Sequence, residues 1–464
     1  MKLIYNVDAK PKQMGYWNTI VFAIQQLLAI MAATLVVPVI INSNMLDMGR
    51  ESPAMSSAAA LFGAGVGTLV YLLFTRRRSP VFLGSSFAFL GSMTAAFAGA
   101  ATIGLGYLGL VIGAAVAGLV YVIIAIIVKF CGVAWINKVM PTVVIGPTVT
   151  IIGLSLSGNA VGDMTKSSTG LASSPYVCLI CALATLAVTM ICSAYGNKKL
   201  RLIPFIIGVL AGYAVAAIFT VIGIASGNEA LKVIDFSKIS SLWADGIGLH
   251  TFLDIEPHKF TFVNALGGFR DFSPSYLVTV IVAYAPVAFV VFAEHIADHK
   301  NLSTIIEKDL LEDPGLSNTL LGDGVGSIAG AFFGGCPNTT YGESVGCVAI
   351  SGNASSWTIV YTAIGAILIS FLAPFVAFVN SIPSCVMGGI CVALYGFIAV
   401  SGLKMVQKVD LSQSKNLFTV SVILITGVGG LVLTFGKVTI TNIACALILG
   451  ILTNLMLKSA KETD

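Results

Sequence analysis

Apolar residues in this chain run in long stretches that scarcely alternate with polar ones. Reading along the chain gives fourteen such stretches. They lie near residues 17–42, 53–75, 81–99, 102–129, 138–155, 175–195, 202–225, 274–298, 317–334, 338–352, 355–379, 383–403, 415–435 and 438–457. A helix that spans a membrane needs about 20 mostly apolar residues, so the pattern predicts a polytopic all-α membrane protein with mostly short loops. Two stretches, 81–99 and 338–352, are weak: each is short, rich in Gly and Ser, and opened by a proline. The one long connection, about 226–272, holds Trp243, several acids and Pro257 and is too short and mixed for a separate catalytic domain.

Composition agrees. Of 464 residues, 57% are hydrophobic and 10% are charged, against about 25% charged in soluble domains. That excludes disorder, collagen-like repeats and a soluble multidomain enzyme. The net charge of +4 is spread along the chain and gives no reason to expect nucleic acid. An even number of spans puts both termini on one side. With the N-terminus inside, 18 of the 25 lysines and arginines fall in inner segments, as the positive-inside rule requires. The first stretch is too long for a signal-peptide core and should remain as a span. Cys178 and Cys181 form a C-x-x-C within an apolar stretch; without a second pair or a histidine cluster they read as small packing residues.

Fourteen spans divide into two sevens, and an odd repeat forces the halves into opposite orientations, as in inverted-repeat transporters. The two weak stretches then occupy matching third positions. One reads Ser79-Pro80-Val81-Phe82-Leu83-Gly84-Ser85-Ser86-Phe87-Ala88-Phe89, the other Cys336-Pro337-Asn338-Thr339-Thr340-Tyr341-Gly342-Glu343-Ser344. Proline and β-formers predict a short extended piece, and Gly and Ser the start of a half-helix. Non-helical backbone at membrane depth must be buried in protein or line a wet cavity. Half-helix N-termini offer free N–H groups and positive dipole ends to carbonyls or anions. These two segments are therefore the expected binding site.

Ionisable residues inside spans are costly and point to function. Glu294, His295 and Asp298 close the eighth stretch, Asp323 lies in the ninth and Glu343 in the tenth. On a helix, Glu294 and Asp298 share a face while His295 points about 100° away. With Glu343 they form a cluster able to take up and release a proton. Hydropathy ends the eighth stretch near 298, so His299 and Lys300 read as its solvated end. Gly322-Asp323-Gly324-Val325-Gly326 looks like a nucleotide-binding loop only superficially, since no strand precedes it and no P-loop lysine follows. Phe87, Tyr341 and Tyr395 would stack on a flat ligand, or simply pack their spans.

Several strings resemble the nucleobase–ascorbate transporter family, also called nucleobase:cation symporter 2, and within it the bacterial uracil:proton symporter branch. They are Phe292-Ala293-Glu294-His295, Lys308-Asp309-Leu310-Leu311, Asp313-Pro314-Gly315-Leu316 and Pro337-Asn338-Thr339-Thr340-Tyr341-Gly342-Glu343. Leu83 to Phe89, Ala33 to Pro38, Met387-Gly388-Gly389 and Tyr395-Gly396 match as well. The resemblance runs through nearly the whole chain. It implies a seven-plus-seven inverted repeat with short strands in spans 3 and 10. A core domain (1–130 and 273–380) would move like an elevator against a gate domain (131–272 with the long outer loop, and 381–464). It further implies a homodimer in a bacterial inner membrane, both termini cytoplasmic, driven by a proton gradient without a cofactor. Carried over by position, Glu294 and Glu343 hold the base, Phe87 and Gly342 offer backbone groups, and Ala33, Tyr341 and Tyr395 pack around the ring. Asp298 and Asp323 join Glu294 as candidates for the coupled proton.

The sequence also departs from that pattern. Ser344 stands where the family has Asn, Ser351 where it has Thr, and Gln25-Gln26 where the first span has Gln-His. Asp298 replaces the histidine of the uracil branch, and it and Asp323 resemble the xanthine branch, so xanthine or another purine stands as the alternative substrate. An anion exchanger of the sulfate or bicarbonate kind would share the plan, but carboxylates would repel its substrate. A membrane-embedded hydrolase or acyltransferase would need a nucleophile with a base, or a metal motif such as H-E-x-x-H, and the four histidines have no such spacing. A channel would not need paired half-helices.

Overall fold

The computed structural model describes residues 3–132, 135, 140–168, 170–197, 200–244, 246–435 and 438–457. Lys2, Lys138, Lys198, Lys199, Lys437, Lys458 and Lys461, all used in the orientation argument, lie outside the described residues.

Leaving short helical turns in the loops unlabelled, the chain runs α1 (Tyr16–Asp47), α2 (Ser57–Phe74), β1 (Leu83–Ser85), α3 (Leu90–Gly99), α4 (Ile103–Cys131), α5 (Thr142–Ser155), α6 (Ser157–Asp163), α7 (Pro175–Tyr195) and α8 (Pro204–Ser226). After the long loop come α9 (Pro274–Ile306), α10 (Leu316–Gly334), β2 (Asn338–Thr340), α11 (Gly342–Ser351), α12 (Ser356–Ile369), α13 (Ala373–Ser381), α14 (Ser384–Val406), α15 (Ser414–Val428), β3 (Leu433–Phe435), β4 (Val438–Ile440) and α16 (Asn442–Met456). Among the described residues, α1, α2, α4, α5 with α6, α7, α8, α9 and α14 are eight helices long and apolar enough to cross a membrane. Local chemistry sets their starts. Ser56, Thr102 and Ser273 accept the N–H of Ala59, Leu105 and Tyr276 at 3.2, 3.3 and 3.3 Å, which satisfies donors that a helix N-terminus leaves open. Pro274 adds a preset first turn to α9.

The two weak stretches break as the sequence predicts. β1 and β2 pair antiparallel, Leu83 opposite Thr340, Gly84 opposite Thr339 and Ser85 opposite Asn338. Ser86 N–H to Pro337 O (2.9 Å) and Tyr341 N–H to Phe82 O (3.2 Å) continue the ribbon at both ends. A 3-10 turn, Phe87–Phe89, leads from β1 into α3, and α11 follows β2 directly.

Glycine sets the packing beneath the ribbon. α2 and α10 cross with backbone against backbone: a Cβ added at Gly67 would lie 2.6 Å from the Gly326 carbonyl oxygen, and one at Gly326 would lie 2.7 Å from that of Gly67. Gly118 of α4 and Gly324 of α10 meet in the same way, with corresponding distances of 2.8 and 3.0 Å. The buried Asn338 side chain lies across this seam and donates to Gly63 O at 3.2 Å.

Three expectations need correction. The eighth stretch does not end near 298: α9 continues to Ile306, and His299 is buried, not solvated, although Lys300 is exposed. The eleventh stretch is two helices, because the chain turns at Ser370–Leu372 before Pro374; a proline has no N–H to give to the preceding turn and so suits the first turn of a helix, not its interior. The thirteenth and fourteenth stretches shorten to 15-residue helices, since Leu433–Phe435 and Val438–Ile440 pair as antiparallel strands instead of extending the helices.

Candidate functional site

The ribbon brings two half-helix N-termini together. α3, through its 3-10 turn, starts at Phe87, and α11 starts at Gly342, with Glu343 in its first turn. The facing side chains come from α9, where Glu294 and Asp298 stand one turn apart. Together they bound a cavity of about 350 Å³ whose lining includes Phe87, Glu294, Asp298, Thr339, Tyr341, Gly342 and Glu343. Arg201, Asn301, Ile350 and Met405 also line it.

Each wall is fixed by identifiable bonds. Tyr341 donates its hydroxyl to Ser85 O at 2.8 Å, and its ring covers Gly84, where any Cβ would collide with it. Thr340 donates to Asp298 Oδ2 at 2.9 Å; the other oxygen, Oδ1, lies near Gly342. Among the described residues, Glu294 and Glu343 hydrogen-bond to no other residue's side chain, and neither they nor Asp298 form an ion pair. The Arg201 guanidinium, also on the lining, donates to Gly196 O and Ala194 O, both at 2.8 Å.

Six of the residues named from sequence therefore meet at one cavity: Glu294, Asp298, Glu343, Phe87, Tyr341 and Gly342. Three do not. Ala33 is buried in α1 and Tyr395 in α14, behind the cavity wall; Tyr395 meets Phe87 edge-on, with ring centroids 5.6 Å apart. Asp323 faces away, and its Oδ2 lies 2.7 Å from His295 Nδ1 with both residues fully buried. His295 Nε2 lies 3.0 Å from Thr319 Oγ1, and the ring stacks on His299 at 4.0 Å. His299 in turn bonds His295 O (2.8 Å) and the Tyr71 hydroxyl (2.8 Å). These partners hold two histidines inside a helix that hydropathy ends too early. The Gly322–Gly326 string is plain helix within α10.

Two departures from the family pattern touch each other. Ser344 Oγ accepts the Gln26 side-chain amide and the Phe82 N–H, the latter at 3.0 Å, and Gln26 also reaches Ser344 O at 3.3 Å. Sequence reasoning missed this tie, and also Thr339 and Thr340; the polar run Asn338-Thr339-Thr340 within an apolar stretch was the available signal.

A second cavity, about 770 Å³, lies on the other side of Phe87, towards the long loop. Asn44, Thr94, Asn159, Asp271, Tyr276, Thr279 and Asn442 are among its lining residues, and Phe87 lines both cavities. The Phe87 ring is thus part of the partition between them.

The fold has solved counterparts. The transmembrane domain of the cyanobacterial bicarbonate transporter BicA superposes with a TM-score of 0.61 at 14% identity, covering 98% of this chain and 99% of that one. Murine Slc26a9, an anion transporter solved in its inward-facing state, gives 0.60 at 11%, covering 95% and 68%. At such identities the likeness concerns architecture alone. Sequence relatives are much nearer. The uracil permease of Bacillus caldolyticus is 35% identical over 98% of this chain and 95% of its own length. The uracil permease of Escherichia coli K12 is 33% identical over 95% and 91%. The family model described as "Permease family" (Xan_ur_permease) matches residues 17–435. The chain is thus a multi-pass membrane permease and belongs to this family, the nucleobase–ascorbate transporters.

Proposed function

We propose that the chain imports a nucleobase, uracil foremost, together with a proton. The observation that carries this reading is one small cavity with two carboxylates, Glu294 and Glu343, that no other residue's side chain bonds among the described residues, between two half-helix N-termini at Phe87 and Gly342. Uracil has a flat ring with two N–H donors and two carbonyl acceptors. Carboxylates accept from the N–H edges, half-helix amides donate to the carbonyls, and Tyr341 covers the ring. A site that pairs every edge discriminates strongly, because an analogue leaves a buried partner unpaired. The names of the relatives at 33–35% identity support the same substrate.

No lysine or arginine pairs with Glu294, Asp298 or Glu343 among the described residues, so an incoming proton is the charge available to neutralise a carboxylate. Glu294 is the first choice for the coupled proton, with Asp298 one turn away. Asp323, turned to His295, serves better as an orienting partner. The core (1–130, 273–380) is taken to slide against the gate (131–272, 381–464) within a homodimer, with the termini cytoplasmic as the basic residues suggest. One observation favours a purine as second reading: the free oxygen of Asp298 is a third acceptor at the cavity, suited to a third N–H.

The experiment is uptake and thermal stabilisation across a panel of bases. A ligand at 100 times its Kd stabilises the folded state by about 2.7 kcal/mol. Uracil should stabilise most, a protonophore should abolish accumulation, and Glu294→Gln and Glu343→Gln should each end uptake while leaving the folded protein intact. Normal proton-driven uptake by both variants would refute the assignment; stabilisation by xanthine but not uracil would select the purine reading.

A further inference from the structure

The rim of the 770 Å³ cavity carries polar contacts that substrate binding does not use. Asn44 and Asp47 lie in the last turn of α1, within the proposed core. Asn159 and Asp163 lie on α6 and Lys166 just beyond it, within the proposed gate. Lys166 Nζ donates to both carboxylate oxygens of Asp47, at 3.1 and 2.9 Å, and lies 3.4 Å from Asp163 Oδ1. One turn further in, Asn159 Nδ2 donates to Asn44 Oδ1 at 2.6 Å, and Asn44 Nδ2 reaches Thr94 Oγ1 of α3 at 3.4 Å. Asn44, Thr94 and Asn159 line the cavity that ends at Phe87.

From this the geometry points to a latch: Lys166, clamped between Asp47 and Asp163 and backed by the Asn44–Asn159 bond, holds core against gate on the long-loop face and must open for substrate to pass on that side. The inference rests on the core-and-gate reading proposed above. Ammonium and carboxylates here are partly exposed, with side-chain exposures of 41% for Lys166, 58% for Asp47 and 12% for Asp163. Exposed pairs are weak and screened by salt. That suits a latch, which has to release on every cycle. Replacing one charge should therefore move the open fraction a few-fold, and reversing it should move it further, because like charges then face each other.

The test uses the full chain in lipid nanodiscs. Ser155, which lines the cavity, is changed to Cys as a reporter, and its alkylation by a bulky maleimide is timed against the same protein without that change. Lys166→Met, Lys166→Asp and Asp47→Lys should each speed labelling a few-fold or more, and the paired swap Asp47→Lys with Lys166→Asp should return it towards the parent rate. High salt should speed labelling of the parent and leave Lys166→Met unchanged. In a separate variant, Asn44→Cys with Asn159→Cys, a short thiol cross-linker should stop uptake, and a linker cleavable by reductant should restore it. Labelling rates unchanged by both single reversals, or full uptake with the cross-link in place, would overturn the latch. The labelling arm needs no substrate, so a labelling response without any base transported would leave the latch standing and remove only the substrate reading.

Discussion

Ser344→Ala tests how the site is built. Ser344 is fully buried, and its Oγ accepts from the Phe82 N–H at 3.0 Å and from the Gln26 amide. Alanine removes the acceptor and puts nothing in its place. The Phe82 N–H is then left without this partner, and Gln26 keeps only its 3.3 Å bond to Ser344 O. A buried donor without a partner costs about 1–3 kcal/mol, so the two losses together come to about 2–4 kcal/mol. With an unfolding entropy of about 2.1 cal/mol/K per residue, the 464-residue chain loses about 1 kcal/mol/K, and Tm should fall by about 2–4 °C. Phe82 also accepts the Tyr341 N–H, so affinity for the base should weaken along with stability. The assays are thermal unfolding of purified protein and ligand-induced stabilisation. Ser351→Ala is the control, since among the described residues that hydroxyl accepts only the Asn353 N–H, at 3.2 Å, in a less buried position, and it should shift Tm by less than half as much. A double-mutant cycle with Gln26→Ala should show a coupling of about 1 kcal/mol. A Tm within half a degree of the parent together with unchanged affinity for the base, both for Ser344→Ala, would show that this hydroxyl does not hold the ribbon, and the reasoning would fail.

Gly84→Ala puts a methyl into the Tyr341 ring and should cut affinity for the base more than tenfold; adding Tyr341→Leu should recover stability but not affinity, as ligand titrations would show. Lys259, in the long loop, has its ammonium 4.4 Å from the Phe371 ring centroid and 3.4 Å from Asp254 Oδ2, and donates to Ser370 O at 3.3 Å. Burial pushes its pKa down, and Asp254 opposes this only in part. The folded state thus holds this proton less firmly than the unfolded chain does. The protein should gain stability as pH rises from the lowered pKa towards the ordinary lysine value of about 10.4, with no dependence on this group below that window. Lys259→Met should flatten that alkaline rise in a Tm-against-pH series.

Much of the site was legible because its chemistry conflicts with a membrane helix. Pro80, Pro337 and the small polar residues after them cannot make a good span, and Glu294 and Glu343 have no place facing lipid. Other features were hidden by the same rule applied too literally. α9 appeared to stop at Asp298 because hydropathy counts His295 and His299 as exposed, although Asp323, Thr319 and Tyr71 satisfy them inside. Asp323 appeared to belong with the carboxylates because linear sequence shows which residues are ionisable, not which way a neighbouring helix turns them. The strand pair β3–β4 reads as apolar helix because Leu431-Val432-Leu433 suits either state, while the turn in the eleventh stretch had a usable sign in Pro374. The Gln26–Ser344 tie joins positions 318 apart, and no single-sequence pattern carries such a pairing.

The glycine seam between α2 and α10 has a mechanical consequence. Where two helices meet through side chains, rotamers can change and one ridge can slip past the next. At Gly67 and Gly326 the backbones themselves are in contact, leaving no side-chain layer to shear. Gly118 and Gly324 fasten α4 to the same seam. The helices that carry this seam are therefore stiff against one another, and under the core-and-gate division proposed above a displacement has to be taken up at borders such as those of α9 with β4, α5 and α16.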